Sequence, residues 1–298
     1  MIYGAIEAGG TKMVCAIGTA DGSILEKATF PTKDPAATTK QLLEFFQGMD
    51  LTALGIGSFG PVDLNTASPT YGHILDTPKL SWRYFDLVGT LQRVLEVPIG
   101  IDTDVNAACL GEMTYGCAQG LKNVIYLTIG TGIGAGVAVD GNLLHGMLHP
   151  EAGHILVKAH PDDSSQGICP YHKGCFEGMA SGPSIEERWG AKAADLEENT
   201  KVWELESYYI AQALVNYILV LVPEKIILGG GVMKQKQLFP LVRKQVERLI
   251  NGYLKTPELS ALDNYIVPSS LNDNQGILGA LELAKQAAMR DSAGATKG

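Results

Sequence analysis

Apolar residues alternate with others from Ile2 to Glu7, break at Gly9-Gly10-Thr11, resume from Met13 to Gly18 and break again at Asp21-Gly22. This predicts strand, turn, strand, turn, strand. The same order returns at 123–146: a strand at 124–129, the turn Gly130-Thr131-Gly132, a strand at 135–139, the turn Asp140-Gly141, and a strand at 142–144. A repeat this long, recurring once about half a chain later, points to two similar domains rather than a solenoid of short units. After the first meander the pattern predicts a helix at 38–47, a strand at 53–58, a helix at 84–95, a strand at 98–103 and a helix from Val105. The second half reads as an irregular stretch over 148–175, helices at 184–188 and 202–221, a strand at 225–228 running into Gly229-Gly230-Gly231, and helices at 235–251 and 276–288. Strands alternating with helices make an α/β fold. The expected domains are 1–118 with a C-terminal helix at about 275–290, and 119–274; the small polar tail, 291–298, is expected to fray.

Length and composition agree with two domains. At 298 residues the chain exceeds the usual size of one core, and 46% hydrophobic with 18% charged residues suits a globular protein. The net charge of −9 argues against nucleic-acid binding, which rests on Lys and Arg neutralising phosphates. The most apolar stretch, 208–222, carries Gln212 and Asn216 and is short for a membrane span, so it reads as a buried helix. No secretory signal pattern opens the chain, and five cysteines do not make a secreted disulfide framework; a cytoplasmic protein is expected.

With so few cations, an anionic ligand must be held by backbone dipoles. Gly9-Gly10-Thr11-Lys12 offers consecutive amides, a hydroxyl and an ammonium, the groups that bind a polyphosphate. It is not a Walker A loop, because a strand rather than a helix follows it. Alone it could be a plain hairpin turn. The second copy, Gly130-Thr131-Gly132-Ile133-Gly134-Ala135-Gly136, has more glycines than a tight hairpin needs and implies close backbone approach. Gly229-Gly230-Gly231, where a strand ends, suits the adenosine end of a nucleotide. Gly182 and Pro183, after Ser181, are further candidates there, as is Trp189.

The strand at 98–103 ends in Asp102-Thr103-Asp104 and opens a helix. Asp104 is either a helix cap or a general base placed at a strand's carboxyl end. Local spacing does not choose between Asp102 and Asp104. His154, followed after fourteen residues by Cys169-x-x-His172-x-x-Cys175, offers two imidazoles and two thiolates; zinc suits that set best, in a closed structural site. Two free cysteines beside two surface histidines are the alternative.

Taken together, Glu7-x-Gly9-Gly10-Thr11-Lys12, Asp104-x-Asn106-Ala107-Ala108-x-x-Gly111-Glu112, Gly130-Thr131-Gly132-x-Gly134, Glu151-x-Gly153-His154 and Leu228-Gly229-Gly230-Gly231 resemble the ROK family of sugar kinases and repressors, on the side of its bacterial fructokinases. The resemblance spans nearly the whole chain. It implies a two-domain actin-like ATPase (ribonuclease H-like) fold with an interdomain cleft. It also implies Asp104 as base, Glu151 and Glu177 on sugar hydroxyls, and the loop with Ser58, Gly60 and Pro61 bordering the sugar. The implied reaction moves the γ-phosphoryl of Mg²⁺-bound ATP, lying between the loops at Gly9–Lys12 and Gly130–Gly132, onto fructose. Two departures stand out: Glu7 where many members have Asp, and Thr103 where many have an Asn that contacts the sugar. The second favours fructose over glucose. A repressor's helix-turn-helix has no room ahead of the first loop, and a noncatalytic sugar-binding module would bind ligand without releasing ADP. The expected partners are therefore a sugar and ATP, with no nucleic acid and no membrane; a homodimer is left open.

Overall fold

Strand β1 (Tyr3–Ala8) is apolar towards both sides, as a strand covered on both faces must be. Ile6 and Ala8 enter one core, Tyr3 and Ala5 the other. The computed structural model, which describes residues 1–295, places this strand at the centre of a five-stranded sheet. β2 (Lys12–Gly18) pairs with it antiparallel and β3 (Ile24–Pro31) continues the meander. Helix α1 (Pro35–Phe46) is capped by Asp34, whose carboxylate accepts the Ala37 N–H at 3.0 Å, and has Pro35 in its first turn. β4 (Ala53–Ser58) then enters parallel to β1. Helix α2 (Leu87–Leu95) starts later than the expected 84, because Tyr84 adopts a positive φ and Asp86 caps the helix through Gly89 N–H. β5 (Ile99–Thr103) is the parallel edge strand, and α3 (Asp104–Tyr115) follows without a loop. The strand order is β3-β2-β1-β4-β5.

The second sheet is built from β6 (Val124–Ile129), β7 (Ile133–Val139) and β8 (Asn142–Leu143), then, after helices α4 (Phe176–Ala180), α5 (Gly182–Trp189) and α6 (Thr200–Leu221), β9 (Lys225–Gly229). Helices α7 (Leu238–Ile250), α8 (Pro257–Ser260) and α9 (Leu262–Tyr265) lead to β10 (Ile266–Pro268). Its order, β8-β7-β6-β9-β10, repeats the first strand for strand: an antiparallel pair at the centre, then two parallel additions. The repeat seen in the meander therefore extends through all five strands.

The last helix, α10 (Gln275–Ala295), packs against β1, β4, β5 and α3 of the first sheet. Gly279 permits this contact: a Cβ there would stand 1.6 Å from the Ala107 carbonyl oxygen. Ile277, Leu278, Ala280, Leu281 and Ala284 supply one side of that core. The helix continues to Ala295, five residues into the tail expected to fray; residues 296–298 of that tail lie outside the described residues. The chain divides into two compact units, one of residues 1–120, 143–149 and the chain from Ser270, the other of 121–142 and 150–269. Among the described residues no helix is long and apolar enough to cross a membrane, α6 included.

Candidate active site

The three residues that close β5 have separate fates. Asp102 is buried: its Oδ1 accepts Thr103 N–H at 2.8 Å and Asn106 Nδ2–H at 2.7 Å, and its Oδ2 lies 2.8 Å from His145 Nε2. Thr103 is also buried, and its hydroxyl oxygen accepts Asn106 N–H at 3.1 Å, so Thr103 is the cap of α3. Asp104 is thus the first residue of the helix and not its cap. It is half-buried, with Oδ1 accepting Val105 N–H at 2.9 Å, at the N-terminal end of the helix, where the backbone dipoles point their positive ends. Geometry separates what spacing could not: one carboxylate is saturated inside the fold, the other stands at its edge.

β4 passes directly beside this edge, with Gly57 paired to Asp102 and Ser58 to Thr103. A Cβ on Gly57 would lie 2.7 Å from Ala107 Cβ and 3.4 Å from Asp104 Cα, so the glycine is what lets the two backbones meet. Ser58 is buried and donates its hydroxyl to the Phe59 carbonyl at 3.0 Å. Gly60 and Pro61, joined by a cis peptide, lead to Val62, whose N–H donates to His149 Nε2 at 3.4 Å. The structure thus gathers Ser58, Gly60, Pro61, Thr103 and Asp104 in one region of the first unit. Further along α3, Glu112 is buried and accepts from Ser270 N–H at 2.7 Å and Cys117 N–H at 3.1 Å, fixing the helix end to the chain as it returns from β10.

Gly9-Gly10-Thr11 joins β1 to β2, and Lys12 opens β2. Gly9 N–H donates to the Lys12 carbonyl at 3.0 Å, and the Thr32 hydroxyl donates to the Gly9 carbonyl at 2.8 Å, leaving Thr11 and Lys12 exposed. Glu7, two residues before the turn, lies against Gly276 in the first turn of α10, where a Cβ would come within 2.7 Å of its carboxyl carbon. The longer side chain at this position is accommodated by that glycine. Burial raises the Glu7 pKa, against the opposing charges of Lys12 and Lys27 and with a further push from Asp273.

In the second unit, Gly130, Thr131 and Gly132 turn between β6 and β7, with Gly130 N–H donating to the Gly132 carbonyl at 2.9 Å. Gly182 N–H donates to the Gly130 carbonyl at 2.7 Å, and the space where a Cβ on Gly130 would sit is 3.6 Å from Gly231 N. Three glycine segments far apart in sequence therefore meet. Ser181 caps α5 by accepting Ser184 N–H, with Pro183 in the first turn, while Gly230 takes φ 90° where β9 ends next to Gly229. Trp189, at the far end of α5, is half-buried.

Glu177, in the first turn of α4, reaches back to this turn: its Oε2 accepts Ile133 N–H at 2.9 Å. Its Oε1 lies 3.9 Å from His154 Nε2. His154 Nδ1 faces the other way, 3.8 Å from Cys169 Sγ and 3.6 Å from Cys175 Sγ, and His172 Nδ1 is 3.7 Å from Cys169 Sγ. A tetrahedral metal with bonds of about 2.0–2.3 Å has ligand-to-ligand edges of about 3.3–3.8 Å, so these separations fit one ion. All four donor atoms lie within 4.8 Å of one another. Burial, with the adjacent Cys169 sulfur, pushes the Cys175 thiol up to about 11, against the Gly178 N–H that favours its thiolate; a cation between the sulfurs would relieve that cost. Glu151 is exposed and opens a one-turn helix at Ala152–His154; a Cβ on Gly153 would stand 1.9 Å from the Ile133 carbonyl oxygen. The Glu-x-Gly-His spacing thus puts Glu151 and the histidine of the Cys/His cluster on either side of a residue pressed against β7. Sequence reasoning missed His145 and His149; the His-x-x-x-His spacing just ahead of Glu151 was their only signal.

The model of the ROK family matches residues 3–287. A Bacillus subtilis (strain 168) relative, named as a candidate fructokinase, is 55% identical over 293 residues, 98% of each chain. A fructokinase of Pediococcus pentosaceus is 44% identical over 98% of this chain and all of its own. The crystal structure of a ROK hexokinase from Thermus thermophilus superposes with a TM-score of 0.80 at 24% identity, covering 97% of this chain and all of the other. The two five-stranded sheets are those of the actin-like ATPase fold. With the family pattern matched from the first strand to the last helix, the chain belongs to the ROK family.

Proposed function

We propose that this protein is an ATP-dependent fructokinase that makes fructose 6-phosphate and uses Asp104 as general base. The observation that carries the reading is the division of labour at the end of β5. Thr103 caps the helix and Asp102 is bound into the fold through three polar contacts, whereas Asp104, the half-buried first residue of α3, stands at the strand's carboxyl end, where a sugar hydroxyl can give up its proton. Phosphoryl transfer asks little covalent chemistry of a protein; it asks for position and for charge stabilisation. The amides and side chains of Gly9, Gly10, Thr11 and Lys12, and the turn at Gly130, Thr131 and Gly132, supply phosphate-binding groups. Gly182, Pro183, Gly229, Gly230 and Gly231 hold the nucleoside end, and Mg²⁺ accompanies the phosphates. Ser58, Gly60, Pro61, Thr103, Glu151 and Glu177 form the sugar shell, in which Thr103 contributes through the cap it makes.

Fructose is the acceptor on the strength of the relatives named fructokinases at 42–44% identity across nearly the whole chain. His154, Cys169, His172 and Cys175 hold zinc; with four protein ligands it is structural, and it steadies Glu177 through His154 and through the cap that Cys175 gives α4. A cytoplasmic location, where ATP is abundant and thiols stay reduced, belongs to the same reading. The test is ADP release from ATP with fructose, mannose, glucose and N-acetylhexosamines in turn. Fructose is expected to give the highest kcat/KM. No ADP with any sugar would remove the kinase reading, and a clear preference for glucose would remove the fructose one.

A further inference from the structure

The segment Leu143–His149, which begins at the last residue of β8, lies with the first unit. Little apolar burial holds it: His145 and Gly146 are exposed, Met147 is fully so, and a tight turn closes from Gly146 N–H to the Leu148 carbonyl at 2.9 Å. Two imidazoles do the holding. At one end, His145 Nε2 meets Asp102 Oδ2 at 2.8 Å. Because Asp102 Oδ1 already takes two N–H donors, the carboxylate is an acceptor throughout, and the hydrogen-bond network assigns the His145 proton to Nε2. At the other end His149, only 7% exposed, accepts Val62 N–H and lies on Gly60, where a Cβ would come within 3.0 Å of its Cε1.

The two anchor points are not arbitrary places. Asp102 lies two residues before Asp104 on the same chain segment. Val62 belongs to the loop that leaves β4 beside Asp104. We infer that His145 and His149 are positioning residues for the acceptor sugar: by pinning Leu143–His149 to Asp102 and to the loop at Gly60–Val62, they fix the wall beside the base. Neither acts on the phosphoryl group; His145 works through Asp102 and His149 through Val62. This deepens the fructokinase reading and rests on it. The sequence cost of the device is small, two histidines four apart, which explains why no motif announced it.

The experiment compares His145→Ala, Asp102→Asn and His149→Ala with His145→Gln, which keeps an N–H donor. Fructose and ATP are varied separately in the ADP assay, and amide exchange is followed at residues 60–63 and 143–149. The alanine variants and Asp102→Asn should raise the KM for fructose about tenfold, leave the KM for ATP within twofold, and speed exchange at both segments about tenfold. His145→Gln should recover most of the fructose KM and the protection lost in His145→Ala. Unchanged exchange in His145→Ala would overturn the anchoring, and faster exchange with an unchanged fructose KM would overturn the positioning role. A parent protein that releases no ADP with any hexose would fail the kinase reading instead, and the exchange data would still decide whether the anchors hold.

Discussion

The two sheets share one plan, and they carry different chemistry at equivalent places. In the first unit β5 runs five residues, closes on Asp102 and Thr103 and passes straight into the twelve-residue α3, which opens on Asp104; in the second its counterpart β10 runs three residues to Pro268 and is followed by two serines. The meanders differ in the opposite sense. After β3 the first unit goes almost at once into α1, whereas the second sends out a long irregular stretch that carries Glu151 and the four metal-ligand candidates and runs into α4, which carries Glu177. A sheet therefore supplies addresses, and what is attached at each address decides whether it holds an acid, an ion or only packing.

The largest effect should follow from removing the acid that only the first unit has. Asp104→Asn keeps size and polarity and should lower kcat by about 10³-fold while ATP and fructose binding, measured by calorimetry, stay within a few-fold. Near-normal turnover would erase the contrast between the two strand ends. A smaller effect is expected from breaking what only the second unit has. Cys175→Ser should reduce bound metal, read by elemental analysis, from one ion per chain towards none, and raise the fructose KM about tenfold by loosening α4 and Glu177. Full metal occupancy in that variant, or unchanged sugar affinity without the metal, would separate the ion from the sugar shell.

The smallest effect is electrostatic and sharpens the role of Asp102. Its hydrogen bond raises the His145 pKa, burial opposes that, and the Asp102 charge adds to it. Tyr71 senses the charges of both Asp102 and Arg290 of α10, and Asp104 follows Asp102 by two residues, so further charges lie near the pair. A raised folded-state pKa gives stability that is fully present below the unfolded value of about 6.5 and is lost as pH rises through the folded value. For a half-exposed pair this amounts to at most about 1 kcal/mol. Asp102→Asn should therefore lower the unfolding midpoint most at pH 6 and progressively less towards pH 9. A difference independent of pH would mean that the His145 charge plays no part.

Much of the fold was legible because glycine turns bound its apolar runs. The strands at 53–58 and 124–129 have the boundaries read from the pattern, and the repeated meander announced the second sheet. β10 was not legible: Ile266-Val267-Pro268 is too short for a period, and its pairing to β9 makes it a strand. At the site, the metal-ligand candidates cluster within a short stretch and their spacing was visible. The cap of α3 was not, since Thr103 and Asp104 are both good capping residues and only the backbone, extended at Thr103 and helical from Asp104, decides between them. The bond from Asp102 to His145 spans 43 residues, a separation that no local pattern encodes.

The return of α10 to the first unit has a consequence for synthesis. Chain order puts the meander of that unit ahead of the second unit, but one face of its sheet is covered by Ile277, Leu278, Leu281 and Ala284, which follow the whole second unit in the chain. The unit begun first must therefore wait with an apolar face bare, while the second, whose strands and helices all precede Ser270, can close. A chain released after the second unit but before α10 would carry that uncovered apolar sheet face, the kind of surface that invites aggregation.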